Sequence, residues 1–545
     1  MADQPQILVE PHQVVVGPWS PGCPDCLRTR RIAAASTERA AEMAIITSDQ
    51  NLPSFIADTV TELASARAEE RRFWLVDVAT LALSRHGFLA DPRCSTCSTG
   101  PADTEQAAKV TRQVWPKLSP ESSRVRLLDS GELQADYVDG EAGLIPSVTS
   151  YTQHAFPFTG AVLAVPGVGM EVAGYGRTRD FVSAWSIAVA ESLERLVAYA
   201  PSKRTTVTAS YADIAGAAVD PRTLGLYPDD RYLIPGFPYR RFTEDAVTNW
   251  VWGYSFGHDR PVLVPESFVY YRNGEHGFAG EISSGNALGG CYEEAVLHGI
   301  LEVAERDAFL ITWYGAVSVP EIDLATGPDR RVPLVAERIE RQGYRVHVFD
   351  TTREHGIASF WAMAEDVTGI DRPKVISTGG SGLRPAEAIL AALHELSQTV
   401  EYVGILALDP NWHERAQHLA DQPDQVISMA DHLLCAANPA TVDRYSFLLD
   451  DPVTLTWRQA LPRWHWPVNA DIGADLDEAI RRFAMAGMDV VAVDTTSTEQ
   501  AIGGFRCVKV IAPGSVPMTF GHVARRVTGL PRLPEVRNPH PHPFP

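Results

Sequence analysis

The sequence predicts an α/β protein in which sheets are flanked by helices carrying glutamate clusters, preceded by a small α+β domain held by cysteines. Three observations predict it. Four of the seven cysteines form two C-x-x-C pairs near the start, Cys23/Cys26 and Cys94/Cys97. A strand-like run, KVIST, leads through a glycine-rich turn, GGSG, into a long helical segment. Three helical segments carry carboxylates or amides three residues apart, so one design recurs along the chain. The expected domains are 1–105, a linker at 106–130, and 131–545 with a proline-rich tail at 538–545.

The bulk numbers bound the function. The chain has 545 residues, 45% of them hydrophobic, enough for a large core. A formal charge of −21 argues against nucleic acid or an anionic membrane as the principal partner. No run approaches the ~18 apolar residues of a membrane span. The start, MADQPQILVEPHQ, has neither a basic region nor an apolar run, so a cytoplasmic protein is expected. An odd, low cysteine count does not make a secreted disulfide framework.

The first pair lies in GPWSPGCPDCLRTRR, a Pro/Gly turn, and a predicted strand, FWLVDVATLAL, precedes the second pair in DPRCSTC. A two-residue gap lets both thiolates of a knuckle face one ion. Two knuckles then complete a tetrahedral, closed and therefore structural zinc site from Cys23, Cys26, Cys94 and Cys97. The alternatives are ordinary reduced cysteines or a redox C-x-x-C. These segments resemble the zinc-bearing part of ThiF-like, ubiquitin-activating-type proteins fused to peptide cyclodehydratases. No G-x-G-x-x-G follows a strand here, so the resemblance implies a remnant that scaffolds and does not adenylate. Residues 98–125 are polar, with Ser, Pro and Gly at both ends, and read as a linker with one short helix.

The segment TRDFVSAWSIAVAESLERLVAYAPS reads as a helix capped by Thr178 or Asp180, with Glu191 and Glu194 on one face and Arg195 adjacent. A glycine-rich loop, Gly285 to Gly290, leads into a second helix from about Glu293 to about Trp313. On it Glu294, His298, Glu302 and Glu305 fall within an arc of about 80°, while apolar residues cover most of the circumference. Buried unpaired carboxylates cost several kcal/mol, and clustered oxygen ligands select Mg²⁺. The plain alternative is a stripe facing water. Repetition favours the cation: E-x-x-E-R occurs in AESLER and LEVAER, and a third helix, PAEAILAALHELSQTVEY, carries Glu395 and Gln398. Gly379, Gly380 and Gly382 are placed to bring backbone N–H groups near phosphate.

From about residue 130 onward, the chain resembles the YcaO family. GYGRT, AESLER, EVAERDAF, GGSGLRPAEAILAALHEL, VIAPGSVPMTFGH and GLPRL carry the resemblance in order. It implies ATP and Mg²⁺ bound without a P-loop by Glu191, Glu194, Arg195, Glu294, Glu302, Glu305, Arg306 and Gln398. Departures fall at Ile187, at Thr399–Val400–Glu401 where the family tends to place an arginine, and at Gly290 where some members use asparagine. The alternating prolines of NPHPHPFP resemble the tails of azoline-forming members, which implies catalytic support from Pro543 and Pro545.

The implied activity is ATP-dependent cyclodehydration of Cys, Ser or Thr in a ribosomal precursor peptide, giving thiazolines or oxazolines. The alternatives are backbone activation with an external nucleophile, giving a thioamide or amidine, and a non-catalytic scaffold. Implied partners are the precursor peptide, a separate leader-binding protein, a second copy of this chain and, optionally, a flavin-dependent dehydrogenase. His298 has two readings, a brace for the glutamates or a general base; Cys291 reads as structural.

Overall fold

The computed structural model describes residues 7–18, 22–45, 52, 54–65, 71–98, 100–168, 172–199, 201–270, 277–369 and 372–544. Pro545 lies outside the described residues.

The N-terminal part is α+β. Strands Ile7–Val9, Gln13–Val16, Arg72–Asp77 and Leu83–Gly87 form an antiparallel meander in sequence order. Val14 and Val16 pack with Ile56 and Val60 on one face, while Val15 packs with Leu27 and Phe73 on the other. The sheet is therefore covered on both sides, which explains its run of valines. The segment FWLVDVATLAL is a hairpin and not one strand. Asp77 accepts the amides of Ala79 and Thr80 and the Thr80 hydroxyl, and this turn sends the chain back.

Residues 105–125 contain one short helix, Glu105–Ala108, capped by Thr104. The remainder is a strap pinned to the C-terminal body by carboxylates, most of them buried. The Gln113 amide donates to Glu293 (2.9 Å), Trp115 to Asp471 (2.7 Å) and Val125 to Glu294 (2.9 Å). Lys117 reaches Asp475 at 2.7 Å, and both side chains are buried.

Three further sheets carry the rest. Ser147–Tyr151, Phe158–Leu163 and Val172–Arg177 form a small antiparallel sheet. The second runs in the order Arg260–Pro265, Val247–Ser255, Val491–Asp494, Arg506–Ile511 and Asn286–Gly289, with Val207–Ser210 also on Val247–Ser255. The third runs Val375–Gly382, Ala358–Asp366, Tyr344–Asp350, Glu321–Asp323 and Thr454–Thr456. A central helix, Tyr292–Tyr314, lies between the last two sheets. Val296, Ile300 and Val303 pack with Val508 and Val510 on one side; Phe309 and Trp313 pack with Trp361 and Met363 on the other. That enclosure accounts for its all-round apolar surface. The glycine-rich segments differ from expectation. Asn286–Gly289 and Val375–Gly382 are strands, so Gly379 and Gly380 sit in a ladder opposite Trp361 and Phe360 and not in a turn.

Candidate active site

Three helices converge. The first acidic helix, Phe181–Arg195, is capped by Asp180, which accepts the Ser183 amide at 2.8 Å. It lies so close on strand Val172–Arg177 that Gly176 is obligatory: a Cβ there would stand 1.7 Å from the Ala184 carbonyl oxygen. This approach lets the Tyr175 amide donate to Glu191 at 2.7 Å, while Arg195 donates to the other oxygen of Glu191 at 2.5 Å. Glu194 accepts the Leu288 amide, and Glu302 on the central helix accepts the Gly285 amide, each at 3.1 Å. Arg306 stands 3.5 Å from Glu302 and 3.9 Å from Glu305. Glu395, on the third helix Pro385–Leu406, stands 3.6 Å from Arg177.

These carboxylates strain against one another. Burial, then the charges of Glu302 and Glu191, push Glu194 up to about 8. Burial also pushes Glu305 up to about 8; Arg306 opposes it, while Glu395 and Glu302 add to it. Glu302 is raised as well, chiefly by burial. A divalent cation relieves both causes at once. Other groups wait without a partner. Both amide atoms of Asn286, which is 3% exposed, and the Gln398 Oε1 lack any hydrogen bond. A cavity of about 580 Å³ opens on Glu302, Glu305, Ser381 and strap residues Ser119 to Ser123, a size suited to a small-molecule ligand. The carboxylates Glu302 and Glu305 with Ser381 and Arg384 on one cavity fit Mg²⁺ and a polyphosphate.

The family model described as YcaO cyclodehydratase, ATP- and Mg²⁺-binding, matches residues 175–516, which include all three helices. The chain belongs to the YcaO family. An uncharacterised protein of Methanothermobacter thermautotrophicus is 28% identical over 262 residues, covering 47% of this chain and 64% of that protein. A protein of Rhizobium leguminosarum bv. trifolii, from the region 3′ of tfuA, is 31% identical over 125 residues, covering 22% and 30%. The matched segments thus span less than two thirds of either relative. Among solved structures, a heterocyclase in complex with substrate and cofactor superposes with TM-score 0.74 at 21% identity, covering 99% of this chain and 78% of its own. The heterocyclase TruD gives 0.65 at 20%, covering 96% and 72%. YcaO from Methanopyrus kandleri, bound with AMPPCP and Mg²⁺, gives 0.50 at 19%, covering 72% and 92%. At these identities the likeness is one of fold.

The proline-rich tail of this YcaO chain runs inward. Trp313 donates to the His540 carbonyl at 3.0 Å, and His432 Nδ1 donates to the His542 carbonyl at 2.7 Å. Pro541, His542, Pro543 and Phe544 are all buried. The Phe544 ring lies 4.1 Å beneath the Arg306 guanidinium and 4.7 Å from the Phe309 ring. Gly379 leaves room for it, since a Cβ there would meet that ring at 2.7 Å. Phe544 therefore lies beside Arg306 and near Glu305. His432 is held neutral: burial pushes it down to about 4, and its Nε2 accepts the Gly521 amide. A depressed histidine contributes stability that is complete above its unfolded value near 6.5 and is lost as pH falls toward 4. Thermal denaturation is expected to show the melting temperature falling between pH 6.5 and 4, by less in His432→Phe.

The other expected residues separate. Glu294 lies two turns before Glu302 and is engaged by Arg124 and the Val125 amide, both at 2.9 Å, so it holds the strap and is not brought to the group. His298 contacts the Ser123 carbonyl at 3.0 Å, and burial with nearby Arg124 pushes it down to about 4. Its ring N–H is thus spent on bracing. Cys291 caps the central helix through its thiol, which burial pushes up to about 12, leaving no nucleophile. Val400 is buried in the core behind the third helix, whereas Ile187 is 39% exposed. Sequence reasoning did not assign roles to Arg177, Ser381 or Phe544, although GYGRT, GGSG and NPHPHPFP contained them.

The four cysteines at the far end come together. Their sulfurs lie within 4.8 Å of one another, with Cys23–Cys94 at 3.6 Å and Cys26–Cys97 at 3.2 Å. A tetrahedral Zn–S₄ centre with bonds of about 2.3 Å needs sulfurs roughly 3.8 Å apart, so the set fits zinc. Metal analysis of protein purified without chelator is expected to find one zinc per chain, and Cys26→Ser is expected to lose it.

Proposed function

We propose that this chain is the ATP-consuming cyclodehydratase for Cys, Ser or Thr residues of a ribosomally made precursor peptide. The observation that carries this is the convergence of Glu191, Glu194, Glu302 and Glu305 beside a buried tail that packs against Arg306. In the reaction, the Sγ or Oγ of the substrate bonds to the preceding carbonyl carbon and gives up its proton. The carbonyl oxygen, now a hemiorthoamide oxygen, bonds to the γ-phosphorus of ATP as ADP departs. Cleavage of that C–O bond expels phosphate, the amide nitrogen loses its proton, and a C=N bond closes the azoline. The amide oxygen is thus removed as phosphate, which is why ATP is consumed.

Glu191, Glu194, Glu302 and Glu305 would hold Mg²⁺, which when bound neutralises charge on the phosphate oxygens. Arg306, fixed from one side by Phe544, is placed to meet transferring phosphoryl charge, and Asn286 and Gln398 supply amide donors or acceptors. Arg195 orients Glu191. In this reading the peptide amide lies near the tail, which is held against Arg306 through Phe544 and has Pro543 among its buried residues. A leader-binding protein delivering the peptide, a second copy of the chain, and an optional flavin-dependent dehydrogenase that oxidises the rings belong to the same reading.

The test is calorimetry with Mg²⁺ and AMPPCP, followed by an ADP-release assay with peptide. Binding and peptide-dependent ADP release are expected. Sulfide-dependent turnover would instead indicate an external nucleophile, and no nucleotide binding would indicate a scaffold.

A further inference from the structure

We propose that Gln500 is a positioning residue for Glu194, held in place from the cysteine clip through Arg30 and Glu499. Gln500 is fully buried on a short helix, Thr498–Ile502. Its Nε2 donates at 2.7 Å to the Leu193 carbonyl, on the residue just before Glu194. That carbonyl lies at the end of the first acidic helix, where the chain tightens into the 3₁₀ turn Leu196–Ala198 and the Leu196 amide also bonds to it. Terminal helix carbonyls lack regular partners, so a buried side-chain donor fixes where the last turn sits. The last turn carries Glu194 and Arg195. The other end of the Gln500 amide is fixed as well, since its Oε1 accepts the Ser497 amide at 2.8 Å.

The short helix is in turn anchored to the N-terminal domain. Arg30 Nη2 donates to Glu499 Oε1 at 2.7 Å, and the two side chains are 1% and 3% exposed. Arg30 follows Cys26 by one helical turn on the same helix, Pro24–Ala34, and its Nε donates to the carbonyl of Leu89 on the approach to Cys94. One guanidinium therefore touches the chain near both cysteine pairs and the element that carries Gln500. Tyr137 adds a bond from its hydroxyl to the Glu499 carbonyl at 3.0 Å. A buried ion pair is costly to leave half-made, so Arg30 and Glu499 keep a fixed register between clip and helix.

The inference rests on the reading of Glu194 as a holder of the Mg²⁺–nucleotide complex. The experiment is calorimetric titration of the full-length, zinc-loaded chain with Mg²⁺ and AMPPCP. Gln500→Met keeps the side-chain shape and removes the N–H. It is expected to weaken binding about tenfold, the scale of losses when a group that orients a metal ligand is removed. Glu499→Gln is expected to weaken it in the same direction by less. Ser497→Ala strips the cap of the same short helix but leaves Gln500 on Leu193, and is expected to bind like the parent. Glu194→Gln separates the two claims: its loss of binding together with parental affinity in Gln500→Met overturns only this inference. Parental binding by Glu194→Gln overturns the reading and this inference with it. Should Gln500→Met not fold, parental affinity in Glu499→Gln overturns the proposal.

Discussion

Glu302→Gln and Glu305→Gln are expected to abolish Mg²⁺–nucleotide binding while leaving the metal-free protein as stable as the parent or more so. Both carboxyls are half-buried and raised, Glu305 to about 8, so in the metal-free parent at neutral pH folding must force a proton onto a carboxyl that is ionised in the unfolded chain, which costs stability. The amide keeps the shape and removes the repulsion with Glu395 and Glu194. Loss of a charge placed to bind the transition state's counter-cation lowers turnover by about 10²–10³-fold. Groups retained against stability are the signature of a functional site. Nucleotide calorimetry and thermal melts on the same samples check it. Equal losses in melting temperature and in binding would mean that the carboxylates are structural.

Removal of residues 541–545 is expected to lower both stability and turnover. The alternating prolines alone would suggest a loose appendage, but Phe544 is fully buried in the core shared with Phe309, Trp313 and Trp361. Losing that ring costs about 3–5 kcal/mol by analogy with core Phe→Ala changes. It also removes the surface against which Arg306 is held. Misplacing a catalytic group by about 1 Å costs roughly hundredfold in rate. Phe544→Leu separates the effects, because it restores most of the volume without the aromatic face. Its stability is expected near the parent's, with turnover reduced roughly five- to thirtyfold, on the scale of a lost cation–π contact of about 1–2 kcal/mol. Parental turnover in Phe544→Leu would remove the tail from the account.

Much of this site was legible because helical periodicity is local. Glu191 and Glu194 share a face by spacing alone, and Glu302 and Glu305 do so on a helix with no other polar face. Asp180 likewise follows from capping preferences, and the expected short helix of the polar segment is Glu105–Ala108, whereas the Cys291 cap was not foreseen. The same periodicity put Glu294 on the stripe, yet a stripe fixes direction and not distance. Two turns separate it from Glu302, and the strap supplies Arg124 and Val125 to neutralise it. The strap looked like a linker because its own composition is polar. What orders it is a set of carboxylates, buried Glu293 and Asp475 and half-buried Asp471, from remote parts of the chain. The glycine segments misled for a related reason. Glycine permits a turn, but at Gly379 it admits the Phe544 ring and at Gly176 a helix backbone, and both contacts are long-range. Of the two prolines for which the resemblance implies catalytic support, Pro543 is buried beside Phe544, whereas Pro545 lies outside the described residues.

The central claim is that this chain spends ATP to close rings in a peptide. Mass spectrometry of a Cys- and Ser/Thr-rich precursor peptide, incubated with the full chain, the proposed leader-binding protein, ATP and Mg²⁺, tests it most directly. The account predicts loss of one water per modified residue with phosphate released in equal amount, and neither change with Glu302→Gln. An unmodified peptide in a reaction where the chain binds Mg²⁺ and nucleotide and releases ADP would contradict it.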